Sequence, residues 1–136
     1  MKNLSTAIYT QFGTSTLSTY IGGRLYKGMA PDGVEFPYAV YSLVSDVPDN
    51  VFAKQGEEAI IQFDLFSILS SSTQVETMYD YLKTAYDDCS LTITSTTLIW
   101  FRRDNAMLMV EDYTTPAGTQ KVWHYAVDYT VILVAS

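Results

Sequence analysis

One cysteine, Cys89, and one histidine, His124, are all that 136 residues contain of either type. A lone cysteine excludes an intrachain disulfide and fits a reducing compartment. One His and one Cys, thirty-five residues apart, do not supply the clustered ligands of a metal site. Cations are scarce too, eight Lys plus Arg against fifteen Asp plus Glu, for a net charge of −7. That argues against a nucleic-acid grip, which needs cations to displace counterions from phosphate. It is compatible with a channel through which DNA slides in weak contact. Apolar runs such as Val131 to Ala135 are far shorter than the ~20 residues of a membrane span. Met1-Lys2-Asn3-Leu4 opens no signal-type apolar stretch, so the expectation is a protein made and kept in a cytoplasm, with no membrane partner.

Tyrosine is what the chain has in excess: eleven, beside six Phe and two Trp. Tyr carries a rigid apolar body with a polar tip, which suits half-buried strands and subunit interfaces alike. With 48% hydrophobic and 17% charged residues the composition is globular, and the length fits one domain over residues 1–136.

Periodicity divides the chain. Leu4, Ile8 and Phe12 form one stripe of an N-terminal helix, and a short second turn through Leu17, Tyr20 and Ile21 should stop at Gly22-Gly23. Arg24 to Tyr26 reads as a short extended piece. Residues 37–44 and 58–69 alternate as strands, the second placing Ile61, Phe63 and Leu65 on one face. Between them, 45–57 is polar, with Pro48 and Gly56, and reads as a long hairpin loop or extended arm. Val75, Met78, Tyr79, Leu82, Ala85, Tyr86 and Cys89 mark an amphipathic helix, with Thr73 and Glu76 as its expected capping box. Residues 91–94 and 97–103 suggest a hairpin, 105–113 another extended run, and 114–120 a second loop. The last strand, 121–134, turns Trp123, Tyr125, Val127, Tyr129, Val131 and Leu133 one way and His124, Ala126, Asp128 and Thr130 the other. The fold class this predicts is α+β: a mostly antiparallel sheet with an N-terminal helix and one amphipathic helix packed on it, and long hairpin loops.

Chemistry is hard to place on this pattern. No G-x-S-x-G elbow accompanies His124, which sits mid-strand and reads as a hydrogen-bonded strand histidine. Cys89 reads as a core residue. Arg102-Arg103 is the only basic dipeptide, and strand neighbours face opposite ways, so it makes no patch. Glu57-Glu58, Asp87-Asp88 and Glu111-Asp112 read as solvated charge. Asp64, flanked by Phe63, Leu65 and Phe66, needs a partner if it is buried, and Asp64 and Asp128 could meet at a subunit contact. In "GGRLYKGMAPDGVEFPYAVYS" (22–42), Lys27 precedes Gly28 with no Ser or Thr in place, which fails the phosphate-loop pattern. A dinucleotide fingerprint fails as well, because a turn and a strand follow. The stretch reads instead as a helix stop, a turn set by Pro31 and a strand led by Pro37. The expectation is a non-enzyme without catalytic residues, metal or cofactor.

The same stretch is similar to a known family. Arg24-Leu25-Tyr26, then Ala30-Pro31, then Pro37-Tyr38 leading a long strand resemble the tail-completion, or tail-terminator, proteins of long-tailed bacteriophages. The amphipathic helix and the closing "HYAVDYTV" strand agree with that likeness along nearly the whole chain. The resemblance implies a structural virion protein, assembled in the host cytoplasm. It implies a homo-oligomeric ring, usually of six subunits, at the head-proximal end of the tail. Such a ring caps the tail-tube protein and meets the head connector, with DNA passing through its lumen. A head-closure or neck component is the alternative, and a small-molecule-binding α+β domain a more distant one. For partner contacts the location points to Asp46, Asp49, Asn50, Phe52, Lys54 and Gln55 in the first loop. Thr115, Gln120 and Lys121 around the second loop join them. A lone Phe52 in a polar loop is a candidate anchor for a partner pocket.

Overall fold

The computed structural model describes residues 2–48, 56–69 and 71–135. In chain order the elements are α1 (Lys2–Gly13), α2 (Thr16–Tyr20), β1 (Leu25–Lys27), β2 (Tyr38–Pro48), β3 (Gly56–Ser67), α3 (Thr73–Tyr86), β4 (Thr96–Thr115) and β5 (Gly118–Ala135). The strands form one sheet in the order β1-β2-β3-β5-β4. Every pairing is antiparallel except β1 with β2. The expected α+β class is the one observed.

One face of the sheet carries the helices. Leu4, Ala7, Ile8 and Phe12 of α1 and Val75, Met78, Leu82, Ala85 and Tyr86 of α3 are the buried positions, as their periodicity predicts. They share a core with Ala59, Ile61, Phe63 and Leu65 of β3 and Val127, Tyr129, Val131 and Leu133 of β5. Burying each Val, Leu, Ile, Phe or Met among them stabilises the fold by about 1.5–3 kcal/mol. Polar atoms inside the core are matched. The Tyr86 hydroxyl donates to the Ile8 carbonyl at 2.7 Å, and Gln11 Nε2 donates to the Ala85 carbonyl at 2.9 Å. Val40 and Val122 are buried too, but on the opposite face and outside that core.

The stretch 22–42 builds the entry to the sheet. Ser15 caps α2 by accepting from Ser18 N, and Gly22 and Gly23 end it at φ +63° and +75°. A Cβ on Gly22 would meet only the movable end of the Arg24 side chain, at 2.9 Å, so it is the positive φ that favours glycine there. Arg24 spans the turn, its Nε donating to the Pro37 carbonyl at 2.9 Å, while its own carbonyl accepts from Ala39 N.

Four local expectations are corrected. Residues 45–48 continue β2, with Pro48 opposite Glu57, so the connection to β3 is shorter than 45–57. Proline is tolerated because β1 covers only Ala39–Tyr41 and leaves that end of β2 an edge. Residues 97–103 and 105–113 are one twenty-residue strand, β4, and 91–94 adds only an isolated Ile93–Thr96 bridge. Register shifts between Leu98 and Trp100 and between Arg103 and Asn105 absorb the break in alternation. The second loop is a tight turn at Pro116-Ala117, with Thr115 paired to Gly118. At α3 the N-cap is Ser72, not Thr73; its hydroxyl meets the Glu76 carboxylate at 3.2 Å and caps no backbone N–H.

Candidate assembly surface

The uncovered face of the sheet carries a column of stacked rings. Tyr38 of β2 lies on Phe66 of β3 with centroids 4.8 Å apart, and Phe66 lies on His124 of β5 at 4.4 Å. Register causes this: Tyr38 pairs with Phe66, and Phe66 with His124, so three neighbouring strands present a ring at the same level. Phe36, before Pro37, packs against Tyr38 at 5.1 Å and edge-on against Tyr113 of β4 at 5.8 Å. Above the column the 28–36 turn and β4 bound an open groove of about 380 Å³, lined in part by Met29, Phe36, Tyr38, Asp64, Phe66 and Tyr113.

His124 ends that column between two carboxylates. Its Nε2 lies 2.6 Å from Asp64 Oδ1 and its Nδ1 2.6 Å from Glu111 Oε1. Gln62 Nε2 donates to the same Asp64 oxygen at 3.1 Å, giving Asp64 the partners that its surroundings demand. Burial works against charge on the ring, but the hydrogen bonds to Asp64 and Glu111 outweigh it and raise the His124 pKa above the ordinary value. Each nitrogen faces a different carboxylate, so neither is directed at a hydroxyl nucleophile, and the two acids do not converge on one ion. This is the hydrogen-bonded strand histidine expected from the sequence. Asp64 and Asp128 do come near each other, within one chain: burial first, then Asp64 and Asp104, raises the Asp128 pKa.

Of two acidic pairs read as solvated, Asp88, Glu111 and Asp112 are exposed and Asp87 is half-buried, and all four have partners. Asp87 accepts from the Tyr129 hydroxyl at 2.7 Å and pairs with Arg103 at 3.0 Å, while Asp88 pairs with Arg102 at 3.7 Å. The end of α3 turns both acids toward β4, a proximity that sequence separation conceals. Arg103 also donates to the Tyr79 hydroxyl, and Arg102 lies over the Trp100 ring at 4.0 Å. Glu111 holds His124, and Asp112 pairs with Lys121 at 2.5 Å. Cys89 lies just past α3 and packs partly against the core, where burial pushes its thiol up to about 11.

Both ends of the sheet are open among the described residues. β4 pairs only with β5, and its exposed side chains include Ile99, Trp100, Met107, Leu108, Val110 and Tyr113. At the other end β2 runs past the three residues of β1 and exposes Leu43, Val44 and Val47. From Glu111 to Val122 the β4–β5 hairpin overhangs β3, whose pairing stops at Ser67–Trp123. Long apolar edges are what natural proteins usually blunt or cover.

The sequence-predicted contact residues scatter over this surface. Asp46 is exposed on β2 opposite Ala59. Thr115, Gln120 and Lys121 cluster at the hairpin tip, where Gln120 pairs with Tyr113. Asp49, Asn50, Phe52, Lys54 and Gln55 lie outside the described residues. Sequence reasoning missed β4, whose alternating apolar residues pass for a core strand until its edge position is known.

Comparison with known proteins agrees with this architecture. The family described as "Tail completion protein gp17" matches residues 6–133. No curated protein matches the sequence. A chain from the virion of a native gene transfer agent particle shares the fold with a TM-score of 0.75 at 12% identity, over 98% of this chain and 96% of its own. A second solved chain reaches a TM-score of 0.48 at 10% identity, over 93% of this chain and 94% of its own. With the family matched from α1 to β5, the chain belongs to the tail completion protein gp17 family and is a structural component of a phage tail.

Proposed function

We propose that the protein is a tail terminator: a homo-oligomeric ring at the head-proximal end of the tail. It would cap the tube on one side and meet the head connector on the other, with DNA crossing its lumen without specific binding. The observation that carries this reading is the pair of open, apolar sheet edges at opposite ends of a chain of this family. A contact between unlike edges of successive copies is heterologous, and it generates a ring when its rotation closes. Six copies is the stoichiometry that the family resemblance suggests. A net charge of −7 suits a lumen that lets DNA slide. Asp46, Thr115, Gln120 and Lys121, with Asp49, Asn50, Phe52, Lys54 and Gln55, are the proposed partner contacts.

Electron microscopy of the protein with and without purified tail-tube protein tests the reading. Rings seated on tube ends are the expected image, and monomers in both samples would count against it. Pull-down against tube and connector proteins separates a terminator from a neck component, which would bind only the connector side. As a further expectation, Phe52→Ala impairs tail joining and leaves the thermal midpoint nearly unchanged. A large drop in midpoint would assign Phe52 to the core instead.

A further inference from the structure

The strongest unused feature is the ring nitrogens of His124, both of which face carboxylate oxygens at 2.6 Å. A neutral imidazole has one N–H and can donate to only one of them; the other nitrogen would then present a lone pair to an anion. Only the imidazolium donates to both. We propose that this doubly donating His124 is a proton-controlled latch, which ties Glu111 of β4 through the ring to Asp64 of β3 and frees Glu111, at the root of the overhang, when the ring loses its proton.

Side-chain exposure decides which bond gives way. Asp64 is 18% exposed and held by Gln62, whereas Glu111 is 49% exposed and sits at the root of the overhang. On deprotonation Asp64 keeps the remaining N–H, and Glu111 turns to water. Two residues along, Tyr113 closes the groove against Phe36, so loosening at Glu111 reaches the contact between the hairpin and the 28–36 turn. The groups around His124 all favour its charged form. Asp64 stands on β3, Glu111 on β4, and Asp128 lies further along β5 beside Asp64. On β2, Tyr38 has its pKa raised by burial, then by Tyr113, Glu111 and Asp64, and so stays neutral. The nearest cation on the overhang, Lys121, is paired with Asp112.

The latch belongs to the isolated chain, and only its consequence for tail joining rests on the assembly reading. NMR of the uniformly labelled protein should show both His124 nitrogens protonated below a titration point that lies above the ordinary value of about 6.5. Hydrogen exchange of amides 111–122, corrected for base catalysis, should lose protection across that titration. The loss expected is up to about tenfold for each pH unit by which the folded value exceeds the unfolded one. In His124→Gln the protection should no longer change with pH. Glu111→Gln, at a half-exposed position, covers the case in which the first variant fails to fold, and it should lower the His124 titration point. A titration point at or below about 6.5, or corrected protection that is flat through the titration, would overturn the latch. Neither result bears on whether the chain forms rings, which microscopy decides separately.

Discussion

On β5, Val127, Tyr129, Val131 and Leu133 lie buried under the helices, while His124, Asp128 and Thr130, on the alternate positions, hold a polar network on the uncovered face. The same strand therefore serves two ends. Its inner side chains lose all contact with water and carry the stability; its outer ones keep enough exposure to exchange protons and partners. The same contrast runs along the sheet. β3, paired on both sides, has its inner residues fully buried, whereas β4, paired on one side only, leaves apolar residues of both faces in water. Stability sits in the middle of the sheet and availability for contact at its margins.

The widest separation between the two faces should come from Phe63→Ala. Phe63 touches the rings of Tyr41, Tyr86 and Tyr129, and its removal should cost about 3–5 kcal/mol in denaturant unfolding. A loss below about 1 kcal/mol would mean that the inner face is not the stability core. Tyr86→Phe is gentler. It removes the side-chain donor to the Ile8 carbonyl, which α1 still bonds, and should cost about 0.5–1.5 kcal/mol, with the ring packing retained.

The outer face should show itself through pH instead. The folded-state pKa of His124 is raised above the unfolded value, so its stabilisation is complete below about 6.5 and is lost as pH rises through the folded value. The midpoint difference between the native protein and His124→Gln should therefore shrink over that range. A difference that grows with pH would reverse the assignment. Smallest in stability, within about 0.5 kcal/mol, should be Met107→Lys and Val110→Lys on β4. Both should nonetheless abolish self-association, because an edge lysine resists strand addition. Rings that persist in both variants would move the seam away from β4.

Which parts of this division the sequence discloses follows from what each depends on. The stripes of α1 and α3 and the inward set of β3 and β5 are local periodicities, and they emerge intact. Ser45 to Pro48 pass for loop and Asp104 for a break between two strands, yet both belong to margins where a strand tolerates proline, bulges and charge. Thr73 lost the cap to its neighbour Ser72, a one-residue choice that propensity does not resolve. The clamp on His124 depends on register. Asp64 visibly lacked a partner and His124 visibly needed one, but only the pairing of Phe66 with His124 shows that they are each other's. Edge position is likewise a property of strand order, so the apolar run of β4 could not be read as a contact surface in advance.

Self-association through the sheet margins is the central claim, and the mass of the assembly formed on purified tail tubes tests it most directly. Native mass measurement should find a closed multiple of the 15.3 kDa chain bound at the tube end, and only monomer for Met107→Lys. A single copy bound per tube end, or no binding by either protein, would contradict it.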